Sequence, residues 1–144
     1  MRKNYFKISI SILLISILLI LFIFPKQEED IVWGEFDKEK LNNYLNNNNL
    51  IFLDFTADWC VTCQFNKIAT LKSDEVIKFF LTNEIKLLRA DWTNKDSDIL
   101  NFMTSFNRFG IPLNIIYGPK NKEGIVLPEI LTKDIVIDGL DELK

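Results

Sequence analysis

Two cysteines three positions apart offer the clearest chemistry in this sequence. Cys60 and Cys63 enclose Val61 and Thr62, and they are the only cysteines among the 144 residues. In a Cys-x-x-Cys pair the first thiolate attacks a substrate disulfide, and the second thiol resolves the mixed disulfide that results. The spacing therefore favours a redox dithiol, with Cys60 at a helix N-cap whose free N–H groups stabilise its thiolate. Because Val61 and Thr62 add no positive charge, the pair is predicted to act as a reductant.

Other uses of the cysteine pair fit the sequence less well. Covalent haem attachment needs a histidine directly after the second cysteine, and that position is Gln64. A zinc site would need further ligands from carboxylates or from a second chain. A structural disulfide stays open as an alternative, although closing a four-residue loop stabilises a fold only slightly.

An acidic residue lies six positions before the first cysteine. Asp54 interrupts the apolar run from Leu50 to Phe55, which predicts a central strand. Because burial raises the pKa of a carboxyl group, Asp54 is predicted to accept the proton of Cys63. A purely structural role for this acid is the alternative. Trp59 is predicted to provide packing and substrate surface rather than chemistry.

The composition excludes several other classes of site. The chain contains no histidine, so neither Ser-His-Asp nor Cys-His catalysis can operate within it. Its 17 basic and 20 acidic side chains give a formal net charge of −3, which offers no basic surface for nucleic acid. We therefore expect no metal, no other cofactor and no nucleic-acid partner.

The elements that must position these residues alternate between helix and strand. The predicted order is α, β, α, α, β, α, β, β, α, which is typical of a layered α/β domain whose sheet is parallel in its first part. Gly110 is predicted to end the fourth helix, residues 118–124 to form a turn, and residues 125–127 to form a short strand. Capping side chains predict the helix starts, at Asp37, Cys60, Ser73, Asp96 or Ser97, and Thr132.

An apolar run at residues 8–24 precedes the α/β pattern and is long enough for a transmembrane helix. No small-x-small cleavage site follows it, so an uncleaved anchor is favoured over a cleaved signal peptide. Basic residues precede the run and acidic residues follow it, which predicts a cytoplasmic N-terminus and an external domain. The predicted division is an anchor at 1–25, a tether at 26–36 and a domain at 37–144.

Residues 54–63, with the sequence DFTADWCVTC, look like the active-site motif of thioredoxin-fold proteins. They resemble more closely the C-terminal thioredoxin-like domain of the membrane thiol:disulfide interchange proteins, the DsbD family. Three further stretches carry the same resemblance, at residues 90–96, 108–113 and 126–132.

The resemblance implies a thioredoxin fold, with a central mixed sheet flanked by helices. It implies that Cys60 is the nucleophile, Cys63 the resolving thiol and Asp54 the buried acid. It also implies a cis Pro112 that faces Cys60, with the backbone of Ile111 docking the substrate. The family passes electrons from the cytoplasm, through a membrane domain, to disulfides of periplasmic proteins.

Two departures from the family pattern bear on mechanism. A single apolar run stands where the family has a multi-span domain, so we expect a membrane electron donor of the thiol:disulfide interchange type as a partner. Family members often carry an acid four residues after the second cysteine, whereas Lys67 occupies that position here. A lysine there would favour thiolates if it lay close to them.

The leading functional hypothesis is a single-pass inner-membrane protein-disulfide reductase whose C-terminal domain faces the periplasm and acts on protein disulfides. A cytochrome c maturation thioredoxin that reduces apocytochrome is the nearest alternative. A non-catalytic thioredoxin-like binding module belongs to a different class, and a dithiol oxidase would reverse the electron flow.

Overall fold

A five-stranded mixed sheet organises residues 31–144, the part of the chain that the computed structural model describes. The sheet order is β1-β3-β2-β4-β5. Strands β1, β3 and β2 run parallel to one another, β4 is antiparallel to β2, and β5 is antiparallel to β4. The expected sheet, parallel in its first part, is therefore confirmed. The strands are β1 (Gly34–Glu35), β2 (Ile51–Thr56), β3 (Lys86–Asp91), β4 (Leu113–Gly118) and β5 (Asn121–Val126).

Helices cover both faces of the sheet and begin where capping side chains predict them. The side chains of Asp37, Ser73, Asp96 and Thr132 each accept a hydrogen bond from a backbone N–H in the first turn. The helices are α1 (Lys38–Asn46), α2 (Val61–Asn66), α3 (Asp74–Thr82), α4 (Ser97–Ser105) and α5 (Lys133–Asp141), and α2 continues into a π-helical turn at Lys67–Leu71.

The two faces of the sheet differ in composition because side chains alternate along each strand. We call one the apolar face; it carries Ile51, Leu53 and Phe55 of β2 and packs against Leu41 of α1 and Met103 of α4. We call the other the polar face. It carries Phe52, Asp54 and Thr56, and its hydrophobic part packs against α3, α5 and the end of the π-helical turn.

Three local expectations were wrong. Helix α4 ends at Ser105 rather than at Gly110, and Asn107 takes the left-handed conformation that often follows a helix, with φ 55°. Residues 118–124 are not one long turn, because β5 already begins at Asn121, and the strand predicted at 125–127 is therefore longer and ends at Val126. Gly124 lies within β5 with φ 93°, where a Cβ would come within 2.6 Å of the Tyr117 ring.

The N-terminal expectations fall largely outside the described residues. The predicted anchor at 1–25 and residues 26–30 of the predicted tether lie there, so the membrane span stays a prediction. Within residues 31–144 no helix combines the length and apolar character needed to cross a membrane. The sheet begins inside the predicted tether, since Gly34 and Glu35 pair with Leu88 and Arg89 of β3.

Candidate active site

The two cysteines form a disulfide at the junction between β2 and α2. Their sulfur atoms are 2.02 Å apart and their Cα atoms 5.2 Å apart. Cys60 is the N-cap residue of α2, and its Sγ accepts a hydrogen bond of 3.2 Å from the backbone N–H of Cys63. The same N–H would stabilise a Cys60 thiolate after reduction, because at the helix start it has no carbonyl acceptor within the helix.

The loop before β4 meets this disulfide. The Ile111–Pro112 peptide bond is cis, and the Ile111 side chain packs on the small buried cluster formed by Ala57, Cys60 and Cys63. The structure thus places Ile111 against the cysteines from which it is separated by about fifty residues of sequence. The roles predicted for Ile111 and Pro112 in substrate docking remain predictions.

Trp59 is held beside Cys60 by the loop that follows β3. Its indole Nε1 donates a hydrogen bond of 3.1 Å to the carbonyl oxygen of Thr93, whose hydroxyl oxygen accepts from the N–H of Asp58 at 3.0 Å. The rings of Trp59 and Trp92 are 6.1 Å apart, and the Lys95 ammonium lies 6.0 Å from the Trp59 ring. Half of the Trp59 surface stays exposed, so its ring can contact a bound polypeptide.

Asp54 is buried on the polar face, where only 3% of its surface is exposed. One carboxylate oxygen, Oδ2, accepts a hydrogen bond of 3.0 Å from Nε of Arg89, its partner across β2 and β3. Burial raises the pKa of Asp54, while the positive charges of Arg89 and Lys67 act in the opposite direction. The raised pKa predicted from the apolar strand is confirmed, and burial is its largest cause.

Arg89 is a site residue that the sequence did not reveal. Its guanidinium carbon lies 4.0 Å from the centre of the Trp33 ring, and its side chain is 28% exposed. Arg89 also lines a surface cavity, together with Trp33, Glu35 and Asp91. Only the register of β2 against β3 identifies Arg89 as the partner of Asp54, and that register cannot be read from the chain alone.

Lys67 begins the π-helical turn that continues α2. Its charge contributes to lowering the pKa of Asp54, although it is a smaller influence than Arg89. The sequence raised the question of whether Lys67 acts on the thiols. The structure shows an electrostatic influence of Lys67 on the buried Asp54 carboxyl, and its action on the thiols stays a prediction.

The loop between β5 and α5 is held by hydrogen bonds from α2 and from the π-helical turn. The Asn66 side chain donates to the carbonyl oxygen of Glu129 at 2.7 Å and accepts from the N–H of Leu131 at 3.0 Å. The Thr70 hydroxyl donates to the carbonyl oxygen of Leu131 at 2.9 Å. These contacts were not predicted, since Asn66 carried no motif signal of its own.

Apolar side chains are exposed on the elements around the cysteines. Val61 is 83% exposed and Phe65 55%, both on α2, while Phe109 is 75% exposed in the loop before the cis bond. Ile130, in the loop held by Asn66, is 59% exposed. Among residues 31–144 there is no group of three or more metal-ligating side chains.

Comparisons with known proteins agree with this architecture. A family model described as thioredoxin-like matches residues 38–119. The thiol:disulfide interchange protein DsbD of Campylobacter jejuni is 26% identical over 95 residues, which cover 66% of this chain and 16% of that protein. The DsbD protein of Haemophilus influenzae is 30% identical over 78 residues, which cover 54% of this chain and 13% of that protein. This chain therefore spans less than a fifth of these relatives.

Solved structures share the fold. The oxidised C-terminal domain of DsbD from Neisseria meningitidis matches with a TM-score of 0.58 and 19% identity, covering 79% of this chain and all of that one. A thioredoxin from Trypanosoma brucei brucei matches with a TM-score of 0.52 and 17% identity, covering 83% and 96%. The match over residues 38–119 takes in the cysteine pair, Asp54 and the cis bond. This chain belongs to the thioredoxin-like family.

Proposed function

We propose that this chain reduces disulfides of other proteins through the Cys60–Cys63 dithiol. The observation that carries the proposal is the cysteine pair at the start of α2, with Cys60 as N-cap and Ile111 packed against both sulfur-bearing residues. The curated relatives with matching segments are named thiol:disulfide interchange proteins, which supports the same reaction class.

The reaction proceeds in two exchange steps. In the reduced protein the Cys60 thiolate attacks one sulfur of a substrate disulfide, forms a mixed disulfide and releases the other substrate sulfur as a thiolate. Cys63 then loses its proton and attacks the sulfur of Cys60. The Cys60–Cys63 bond forms, the bond to the substrate breaks, and the substrate leaves with two more electrons than it brought.

Asp54 is the proton acceptor in this scheme. It is buried on the polar face, and its raised pKa brings a carboxyl group closer to the proton affinity that a base near neutral pH requires. Arg89 balances this effect, because its hydrogen bond to Oδ2 favours the charged carboxylate. The contact with Arg89 thus allows Asp54 to ionise, although its burial makes the charged form unfavourable.

The substrate surface is formed by the exposed apolar side chains around Cys60. Trp59 and Val61, on either side of Cys60, offer exposed apolar contact, as does Phe109, which lies two residues before Ile111 and its packing on the cysteine cluster. A surface of this kind suits an extended polypeptide that presents a disulfide in an unfolded or exposed segment.

The proposed membrane location rests on the N-terminal sequence. We place the chain in the inner membrane with a single N-terminal anchor, its domain in the periplasm, and a membrane thiol:disulfide interchange partner as the source of electrons. The apolar run at 8–24, its flanking charges and the similarity to DsbD support this arrangement.

The test uses the full chain in mild detergent, with insulin as a disulfide substrate and dithiothreitol as the electron source. We expect Cys60→Ser to lower the rate to the uncatalysed level, and Cys63→Ser to accumulate a mixed disulfide that is visible on non-reducing gels. Thr104→Ser on α4 is the control and should behave like the unmodified chain. If the unmodified chain reduces insulin no faster than Cys60→Ser, the reductase proposal is wrong and a non-catalytic binding module is favoured.

A further inference from the structure

Two buried polar side chains hold the loop that precedes α5. Asn66, the last residue of α2, donates to the carbonyl oxygen of Glu129 at 2.7 Å and accepts from the N–H of Leu131 at 3.0 Å. Thr70, in the π-helical turn, donates to the carbonyl oxygen of Leu131 at 2.9 Å. Asn66 and Thr70 are each only 2% exposed. Neither takes part in the exchange steps of the proposed reaction, so their hydrogen bonds serve the position of the loop.

A buried asparagine on the inner side of a helix needs a physical reason. An apolar side chain would pack there without any partner, whereas a buried amide is tolerated only when it is hydrogen-bonded. Both ends of the Asn66 amide bind one short stretch of backbone, on either side of Ile130. The amide therefore fixes the backbone of residues 129–131 relative to α2.

The held loop lies close to the resolving cysteine. Asn66 follows Cys63 by three residues, and residues at this spacing lie on the same face of a helix. Both are buried, so this face points into the domain. The loop also meets the segment before the cis bond, because Nη1 of Arg108 lies 3.5 Å from Oε1 of Glu129. It thus contacts both the helix that carries Cys63 and the segment that brings Ile111 to the disulfide.

The two segments each expose a large apolar side chain. Ile130 is 59% exposed and Phe109 is 75% exposed. They directly follow Glu129 and Arg108, the two residues of the ion pair. Exposed apolar groups beside a reactive site are typical of surfaces that contact another polypeptide. The ion pair is largely exposed and contributes little, so the buried hydrogen bonds from α2 and the π-helical turn are the stronger restraint on the loop.

We propose that Asn66 is a positioning residue that sets the affinity for polypeptide disulfides by holding Ile130 at the edge of the active site. Thr70 assists it through the same loop. A loop that is fixed before binding does not have to be ordered when the substrate arrives, and this favours affinity. Substrates with apolar residues beside their cysteines benefit, whereas a disulfide without polypeptide gains nothing from the loop. This inference rests on the proposed reductase function.

The test follows single-turnover reduction by the pre-reduced full chain in mild detergent, with thiol alkylation as the readout. Insulin is the polypeptide disulfide, and hydroxyethyl disulfide is the disulfide without polypeptide. We expect Asn66→Ala to raise the half-saturation concentration for insulin about fivefold. Its maximal rate with insulin and its rate with hydroxyethyl disulfide should not change. Thr70→Val should act in the same direction but less strongly, because it removes one hydrogen bond to the loop rather than two.

Two further variants separate the loop from the stability of the helical segment. Ser73→Ala is the matched control, because the Ser73 hydroxyl donates to the carbonyl oxygen of Thr70 at 2.7 Å and caps α3 without touching the loop. It should lower stability and leave both substrates unaffected. Ile130→Ala changes an exposed side chain and should raise the half-saturation concentration for insulin about threefold. Combined with Asn66→Ala it should add less than the two single effects predict, since both act through one contact.

The outcomes distinguish this inference from the function on which it rests. Equal losses with insulin and hydroxyethyl disulfide in Asn66→Ala would indicate a general effect on the fold or the cysteines and would overturn the inference. An unchanged half-saturation concentration for insulin would overturn it as well. If Asn66→Ala does not fold, Thr70→Val and Ile130→Ala decide the matter by the same criteria. An unmodified chain that reduces neither substrate would instead refute the reductase function.

Discussion

Alternate residues of β2 face two layers of different composition, although all of them are buried. On the apolar face Phe55 lies 5.5 Å from the Phe36 ring and stacks on Phe102 at 5.6 Å. On the polar face the neighbouring Asp54 is desolvated and bonded to Arg89. Adjacent positions in one strand thus meet opposite physical environments.

The two faces contribute differently, since the apolar face stabilises the fold and the polar face holds the group for proton transfer. Burying an aromatic ring among other rings stabilises the fold in proportion to the apolar area removed from water. Burying a carboxyl group works against folding, yet it gives that group a proton affinity that an exposed acid does not have. The apolar face therefore offsets the unfavourable burial that the polar face requires for proton transfer.

The largest change in stability should come from the apolar face. Phe55→Ala removes a fully buried ring from its contacts with two other aromatic side chains. We expect the free energy of unfolding to fall by about 3–5 kcal/mol, measured by urea denaturation of the oxidised protein. A loss below about 1 kcal/mol would mean that this layer repacks and is not the main source of stability.

A substitution of Asp54 on the polar face should raise the stability at neutral pH instead of lowering it. In the folded chain Asp54 has a raised pKa, so it binds its proton more tightly than in the unfolded chain. The contribution of Asp54 to stability is therefore fully present below the ordinary carboxyl pKa and is lost as the pH rises through the raised pKa of the folded state. Asp54→Asn has no such fall and should be more stable than the unmodified chain at neutral pH.

The same variant should lose activity while it gains stability. Without its proton acceptor, the resolving step of Asp54→Asn should slow about 100-fold at pH 7. Thermal unfolding between pH 3 and pH 8 and single-turnover disulfide reduction measure the two effects. Parallel pH curves of stability for the variant and the unmodified chain would contradict the assignment of a raised pKa to Asp54.

A smaller shift should follow from removing the partner of Asp54. Arg89→Met deletes the hydrogen bond and positive charge that favour the carboxylate, so the pKa of Asp54 should rise further. The rate at pH 7 should fall about threefold, and the pH profile should move upward. Arg89→Lys keeps the charge and is the matched control. Identical profiles for all three proteins would show that Arg89 does not tune this acid.

The smallest effect belongs to an ion pair outside both layers. Lys133 lies 3.4 Å from Glu75, and both side chains are largely exposed. Lys133→Ala should therefore change the free energy of unfolding by less than about 0.5 kcal/mol. A larger loss in urea denaturation would show that the contact between α3 and α5 depends on this pair.

Local chemistry made part of this molecule predictable. Asp37, Ser73 and Thr132 mark helix starts because a short polar side chain before an apolar pattern satisfies free N–H groups. The cysteine spacing and the acid within an apolar strand carry their chemistry in the sequence itself. These signals act over a few residues, and a single chain is enough to read them.

The remaining features depend on contacts between distant segments. Arg89 and Asn114 become neighbours of Asp54 only through the registers of β2 with β3 and β4. Strand β1 has two residues, too few to show an alternating pattern. Gly124 was interpreted as part of a turn because glycine favours turns, whereas the structure uses its positive φ within a strand.

The reduction potential of the Cys60–Cys63 pair tests the central claim most directly. The full chain would be equilibrated with glutathione or thioredoxin redox buffers, and the fraction of disulfide measured by thiol alkylation. A reductant should have a potential below about −200 mV, near the value of about −270 mV found for thioredoxin. A potential near about −120 mV, as in a strong oxidant, would contradict the proposed direction of electron flow.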